Sequence, residues 1–319
     1  MSHWISMIRE LGRAVPVIGQ LLMKKVAAAA IDITHRCNLR CKHCYWWEQD
    51  HPNELDDVQM VRFFRALRGQ GLRAAILYGG EPALRPSICK AASEVFDFTL
   101  IFTNGTLGFP EIRGGQWILS LDGPRQINDA IRGSGVFDLA VKNLQKATRS
   151  PIVHITITQW NEPYLEEFSQ EMLGLPVKGI GFSFYTPMHT KIDDELLIPV
   201  SKREGVIKRL LALREKYGEQ IGFTEAMGRQ LLPTAGFHAW NSYERCPVSK
   251  GLRCYKANGE PKACTYGDNA DCTRCGCAAV VAFRGAFYPP HYETMRLIWG
   301  LLSPGFSPKT RNGKGDNGN

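Results

Sequence analysis

Ala27-Ala28-Ala29-Ala30-Ile31-Asp32-Ile33-Thr34-His35-Arg36-Cys37-Asn38-Leu39-Arg40-Cys41-Lys42-His43-Cys44 is the stretch from which the architecture unfolds. Ala27–Thr34 is an apolar run of strand length, the pattern of a strand buried on both faces. It passes straight into a loop whose cysteines are spaced C-x3-C-x2-C. Reactive residues directly after a buried strand sit where parallel α/β sheets hold their ligands, at the carboxyl ends of the strands.

The pattern downstream repeats. Asp57–Arg68 predicts a helix with Val58, Met60, Val61, Phe63, Phe64 and Leu67 on a broad apolar face, ended by Gly69 and Gly71. Arg73–Tyr78 predicts a strand, and Pro86–Val95 a helix opened by proline. Strands follow at Thr99–Phe102, Trp117–Leu121, Ile152–Thr158 and Gly179–Tyr185, with helices at Phe137–Ala147 and Pro163–Leu173 between them. Ser201 and Glu204 have capping-box spacing ahead of a helix carrying Val206, Leu210, Leu213 and Tyr217. Strand and helix alternating about six times imply βα units and a parallel sheet. After about residue 240 cysteines, glycines and short turns take over, the mark of a second module.

The chain has 319 residues, long enough for a large buried core, and a formal charge of +8. A basic balance suits an acidic protein, an anionic membrane surface or nucleic acid. The last is disfavoured, because no dense Lys/Arg block with interleaved aromatics occurs. No apolar run reaches the ~18–20 residues of a membrane span. Trp4, Ile5, Ile8, Leu11 and Val15 recur at helical spacing, so residues 1–25 predict an amphipathic helix that lies on a membrane interface or packs on the core. Residues 303–319 are rich in Pro, Gly, Asn and Lys and predict a disordered tail.

There are ten cysteines: three within Cys37–Cys44, six within Cys246–Cys277, and Cys89 alone. A disulfide scaffold is usually short and secreted. The uneven grouping points instead to two metal sites in a reducing cytoplasm, with disulfides as the alternative. Cys89, inside a proline-opened helix, fits a small core residue. Three thiolates on Cys37, Cys41 and Cys44 would hold three irons of one cubane and leave the fourth iron open for a ligand. Zinc is the competing metal, but it wants a fourth ligand, and His43 between Cys41 and Cys44 is strained for that role.

Cys37 through Tyr45 resembles the signature of radical S-adenosylmethionine (radical SAM) enzymes, with His43 at the aromatic position before the third cysteine. The resemblance runs over roughly residues 27–185. It implies a partial (β/α)6 TIM-like barrel, with a core at residues 26–235 and a C-terminal cysteine-rich extension at 236–302. It also implies a site-differentiated [4Fe–4S] cluster whose open iron chelates S-adenosylmethionine. Gly79-Gly80-Glu81-Pro82 resembles the motif that receives the methionine amino group, glycine letting the main chain approach a ligand. Asn104 lies at the next strand end. Ser120 and Asp122 match the serine and aspartate that face the cofactor, and Arg132 matches an arginine that pairs with the methionine carboxylate.

Cys246, Cys254 and Cys264, with Gly259 four residues plus one before Cys264, resemble the opening of SPASM and twitch extensions. Asn258-Gly259 is a type I′ turn dipeptide between them. The second half departs from that pattern, offering only Cys272, Cys275 and Cys277. Six cysteines fall short of the eight that two fully ligated clusters need, which implies one auxiliary [4Fe–4S] cluster, on Cys246, Cys254, Cys264 and Cys277 before Cys272 or Cys275. A second, incompletely ligated cluster and a mixed cluster-plus-zinc module stay open. The Cys272–Cys277 end also loosely resembles the tail of enzymes that adenosylate hopanoid lipids.

The family implies reductive cleavage of S-adenosylmethionine and abstraction of hydrogen from an unactivated carbon, with reduced flavodoxin or ferredoxin as an acidic donor. Three readings compete: modification of a ribosomal peptide, modification of a lipid or isoprenoid, and a non-catalytic iron–sulfur carrier. Localisation is expected in the cytoplasm, with peripheral membrane contact in the lipid reading. No catalytic side chain is expected beyond the cluster ligands. Tyr185, His238 and Tyr243 are either pocket groups or core.

Overall fold

The computed structural model describes residues 28–302, apart from 52, 113, 192 and 193. The expected N-terminal helix and C-terminal tail fall outside these residues.

Strands β1 (Ala28–Asp32), β2 (Ala74–Tyr78), β3 (Phe98–Thr103), β4 (Gly115–Ser120), β5 (Ile152–Ile157), β6 (Gly179–Phe184) and β7 (Ile221–Gly222) pair in sequence order, each parallel to the next. Strand β8 (Leu252–Tyr255) adds on the other side of β1, also parallel, and β9 (Pro261–Lys262) pairs antiparallel with β8. The nine-stranded order β7-β6-β5-β4-β3-β2-β1-β8-β9 leaves β7 and β9 as edges, so the sheet is an open, partial barrel.

Helices α1 (Asp57–Gly69), α2 (Pro86–Val95), α3 (Arg125–Arg132), α4 (Val136–Leu144), α5 (Leu165–Leu173) and α6 (Arg203–Tyr217) are the crossovers. After them come the short α7 (Glu225–Arg229) and α8 (Pro247–Gly251), then α9 (Ala278–Phe287) and α10 (Tyr292–Leu302). The crossover helices bury their apolar stripes against the sheet: Met60, Phe64 and Leu67 from α1, Leu165, Phe168 and Met172 from α5. Cys89 is buried in this packing, its Sγ donating to the Pro82 carbonyl at 3.3 Å.

Several expectations need correction. The sheet has three strands beyond the six foreseen, and the segment assigned to a separate C-terminal module supplies β8 and β9 to it. The reason is β1: as the first strand it exposes an unpaired edge, which another strand satisfies. Helix α1 continues through Gly69, and its N-terminus carries a capping box between Asp56 and Gln59. Ser201 does not cap α6. It lies in a 3-10 turn, Val200–Lys202, that leads into the helix with no side-chain cap. The Asn258-Gly259 turn is not type I′ either. Gly259 N donates to the Lys256 carbonyl at 2.9 Å and Gly259 sits at φ +84°, while Lys256 N donates to Glu260 O at 2.8 Å. That is a three-residue hairpin loop with glycine in the left-handed position after the turn.

Candidate active site at the carboxyl ends of the strands

β1 delivers the chain into the loop bearing Cys37, Cys41 and Cys44, and all three line one cavity of about 500 Å³ inside the barrel. The loop is tied down from several sides. Lys42 N donates to the Ile131 carbonyl at 2.9 Å, and the Cys41 thiol approaches the Arg132 carbonyl at 3.9 Å, so the C-terminus of α3 braces it. Asn104, after β3, donates from Nδ2 to Asn38 Oδ1 at 3.0 Å, and Asn38 Nδ2 donates to Thr106 Oγ1 at 2.8 Å. Burial pushes the Cys37 thiol up to about 11 and the Cys44 thiol up to about 12, and raises Cys41 too. A bound metal reverses that preference, because its charge favours the thiolate.

Gly79, Gly80 and Glu81 line the cavity, but their geometry differs from a simple ligand cradle. A Cβ on Gly80 would meet the Arg36 carbonyl oxygen at 2.1 Å, and one on Gly79 the Thr34 carbonyl at 2.4 Å. The missing side chains therefore let this turn press on the base of the cysteine loop. Two hydrogen bonds hold the contact, Gly80 N to Thr34 O at 2.9 Å and Glu81 N to Arg36 O at 2.8 Å. The Glu81 side chain is buried and engaged by protein: Oε1 accepts from Ala83 N at 2.8 Å and Thr103 Oγ1 at 2.7 Å, and Oε2 from Asn104 N at 2.8 Å. It links β2 to β3 and fixes where Asn104 stands.

Ser120 and Arg132 also line the cavity. Asp122 does not, which corrects the expectation that it faces the cofactor. Its carboxylate is fully buried one layer back, with Oδ1 accepting from Thr156 N at 2.9 Å. Its Oδ2 lies 2.7 Å from Arg132 Nε and 2.8 Å from His43 Nε2. The Arg132 guanidinium and His43 hold the Asp122 carboxyl far below the usual range, and Asp122 raises Arg132 in turn. Arg132 is thus already paired on one side of its fork. His43 Nδ1 is buried without a protein partner. The His43–Asp122 contact was missed in the sequence, because only folding brings residues 43 and 122 together.

The six C-terminal cysteines form a second group. Cys246 precedes α8, Cys254 lies in β8 and Cys277 precedes α9. Cys264 Sγ lies 3.5 Å from the Gly267 carbonyl, and Cys277 N donates to Cys275 Sγ at 3.4 Å. Cys246 is near enough for its charge to act on Cys264, Cys272, Cys275 and Cys277, and Cys254 is coupled to Cys264 and Cys277. Burial raises all six thiols, Cys264 to about 12 and Cys277 to about 11. All ten cysteines are free thiols. Six reduced thiols, Cys254 and Cys277 buried and the other four half-buried, are by their chemistry a donor set for a thiophilic metal cluster, although no three metal-ligating side chains among the described residues already stand at ligating positions around one ion.

Between the two groups stand Tyr45, Tyr78 and Tyr266, all lining the cavity, with Tyr45 and Tyr266 ring to edge at 5.0 Å. No spacing rule marked them. Tyr185 reaches the cavity and donates its hydroxyl to Asp194 at 2.6 Å, whereas His238 and Tyr243 are exposed and belong to neither pocket nor core. Among the described residues no helix is long and apolar enough to cross a membrane.

Residues 31–168 match the family described as the radical SAM superfamily. The chain is 34% identical over 152 residues to pre-heme d1 synthase of Dinoroseobacter shibae, covering 43% of this chain and 38% of that protein. It is 28% identical over 208 residues to mycofactocin maturase MftC of Mycobacterium tuberculosis, covering 55% of this chain and 52% of that one. The structure of Streptococcus suis SuiB bound to S-adenosylmethionine superposes with a TM-score of 0.61 at 14% identity, over 75% of this chain and 60% of that chain. SuiB is also known bound to its precursor peptide SuiA. At that identity the likeness concerns the fold. The chain spans about half the length, or less, of these curated relatives.

Proposed function

We propose that this chain, whose residues 31–168 match the radical SAM superfamily, is a radical SAM enzyme that cleaves S-adenosylmethionine reductively and uses the radical to remove hydrogen from a peptide substrate. Cys37, Cys41 and Cys44 would hold a [4Fe–4S] cluster. When bound, that cluster supplies the electron that splits a carbon–sulfur bond, releasing methionine and a 5′-deoxyadenosyl radical. The observation that carries the reading is the convergence of three free thiols, the Gly79-Gly80 turn, Ser120 and Arg132 on the wall of one cavity.

The chain's own groups divide the remaining work. The Gly79–Glu81 turn and Asn104 fix the cysteine loop. The free side of the Arg132 fork suits a carboxylate, and the Asp122 partner keeps that guanidinium aimed from behind. Tyr185, Tyr266 and the α9 side chains close the cavity and exclude water from a reactive radical. The second group of thiols would hold one auxiliary cluster, with Cys246, Cys254, Cys264 and Cys277 as ligands ahead of Cys272 and Cys275. The basic charge would steer an acidic electron donor such as reduced flavodoxin or ferredoxin. The peptide reading draws on the likeness to MftC and SuiB.

The experiment is anaerobic turnover of the reconstituted, reduced protein with S-adenosylmethionine and a panel of deuterated peptides. Formation of 5′-deoxyadenosine carrying deuterium supports the proposal. Absence of 5′-deoxyadenosine under every reductant overturns the enzyme reading in favour of an iron–sulfur carrier. 5′-Deoxyadenosine without deuterium overturns the peptide part.

A further inference from the structure

The cavity does not stop below the cysteine loop. It continues down the barrel past the first inward residues of the strands, Ala28, Ala74, Phe98 and Ile152. Strands of five or six residues span about 17–20 Å end to end, which bounds the depth of the cavity along them. In most barrels of this kind large branched side chains fill that interior. Here several lining positions are small, Ala74 on β2, Gly181 on β6, Gly222 on β7, and Ala279 and Ala282 on α9, and they leave space between larger neighbours such as Ile76, Phe102 and Ile118. Native interiors keep few voids larger than a water molecule, so the continuation of this cavity, about 500 Å³ with the cysteine-loop end included, down to these residues is a feature to explain.

Aromatic and aliphatic side chains complete the lower wall. Phe98 and Leu100 face it from β3, and Phe283 and Phe287 from α9. At the foot of this wall Phe98 packs edge to face on Trp299 of α10, with ring centroids 5.9 Å apart. Below Tyr78 the one ionisable side chain on this wall, among the described residues, is His154, which packs edge-on to Phe102 at 5.6 Å. Burial pushes His154 down to about 4, so it stays neutral at ordinary pH.

We propose that this lower chamber is a binding site for a single slender hydrocarbon chain of the fatty-acyl or isoprenyl kind, lying along the barrel axis between the strands and α9. An apolar cavity of this kind excludes water and accepts hydrocarbon. A peptide backbone does not fit it, since each residue brings an N–H and a C=O that need partners. The inference goes beyond the proposed radical chemistry and needs no cluster for its test.

The test is fluorescence titration of the full chain with cis-parinaric acid, followed by displacement with palmitate or with geranylgeraniol. The stronger competitor identifies the acyl or the isoprenyl source. Gly181→Leu fills the chamber: a Cβ there meets only His154 Cδ2, at 3.6 Å, and the backbone is not in the left-handed region. Ala282→Phe fills it from α9. Each should weaken binding at least tenfold while circular dichroism stays native. Should one variant misfold, the other carries the test. Val58→Ser, on the exposed face of α1, serves as the surface control. Three outcomes overturn the proposal: no saturable binding, binding unmoved by both filling variants, or displacement of the probe by S-adenosylmethionine. Hydrocarbon binding without cofactor cleavage would leave this inference standing while the proposed function fell.

Discussion

Lys262 Nζ lies 2.6 Å from the Asp32 carboxylate, with both side chains removed from solvent. Asp32 ends β1, five residues before Cys37, and Lys262 ends β9, two residues before Cys264. One buried ion pair therefore pins the segments that carry both thiol groups. Lys262 also donates to the Thr265 carbonyl at 3.1 Å. Burial raises the Asp32 carboxyl even against its partner, so without Lys262 the desolvation of that carboxylate would lose its main offset.

Removing one partner leaves a bare buried charge. Lys262→Met should destabilise the protein by about 3–5 kcal/mol. Asp32→Leu combined with Lys262→Met should recover most of that loss. Urea unfolding of the two variants checks both, and equal stability of single and double variants would show that the pair is not coupled.

Gly80→Ala should displace the cysteine loop. The new methyl would meet the Arg36 carbonyl oxygen at 2.1 Å, backbone against backbone, where nothing flexible can yield. Overpacking of this kind costs about 1–3 kcal/mol. Expected results are a lower melting temperature and a loss of reconstituted iron at the first site, read by iron assay beside wild type.

Cys41→Ala should lower bound iron by about one cubane's worth and abolish formation of 5′-deoxyadenosine. Cys264→Ala should lower iron but leave the first cluster's spectrum in place. Identical spectra for the two variants would contradict two separate thiol groups.

His154 sets an acid limb. Its folded value is about 4 against an ordinary 6.5, so the unfolded chain takes up this proton first as pH falls. The contribution is intact above about 6.5, falls between there and 4, and has a slope of at most about 1.4 kcal/mol per pH unit. His154→Phe should flatten that limb in denaturation measured from pH 7 to 4. An unchanged slope would place the titration on other groups.

Much of the site was written in local spacing. The cysteine triplet, the Gly79-Gly80-Glu81-Pro82 turn and the order of the first six strands are short-range patterns, and each follows from neighbours along the chain. Cys89 as core and Pro86–Val95 as a helix were legible for the same reason. The Ser201 capping box was not, because the proline-led 3-10 turn at Val200–Lys202 took the place of the cap. Asp122 was misread as facing the cofactor, since sequence gives a position on a strand end but not which layer receives the carboxylate.

By itself the sequence determined that βα units alternate and that thiols follow the first strand, because hydrophobic period and cysteine spacing are properties of contiguous residues. Only the tertiary structure decided that β8 lies beside β1, that Asp32 meets Lys262, and that small residues from β2, β6, β7 and α9 leave one continuous chamber. Those are relationships between segments up to 230 residues apart, set by edge pairing and packing volume, and no local pattern encodes them.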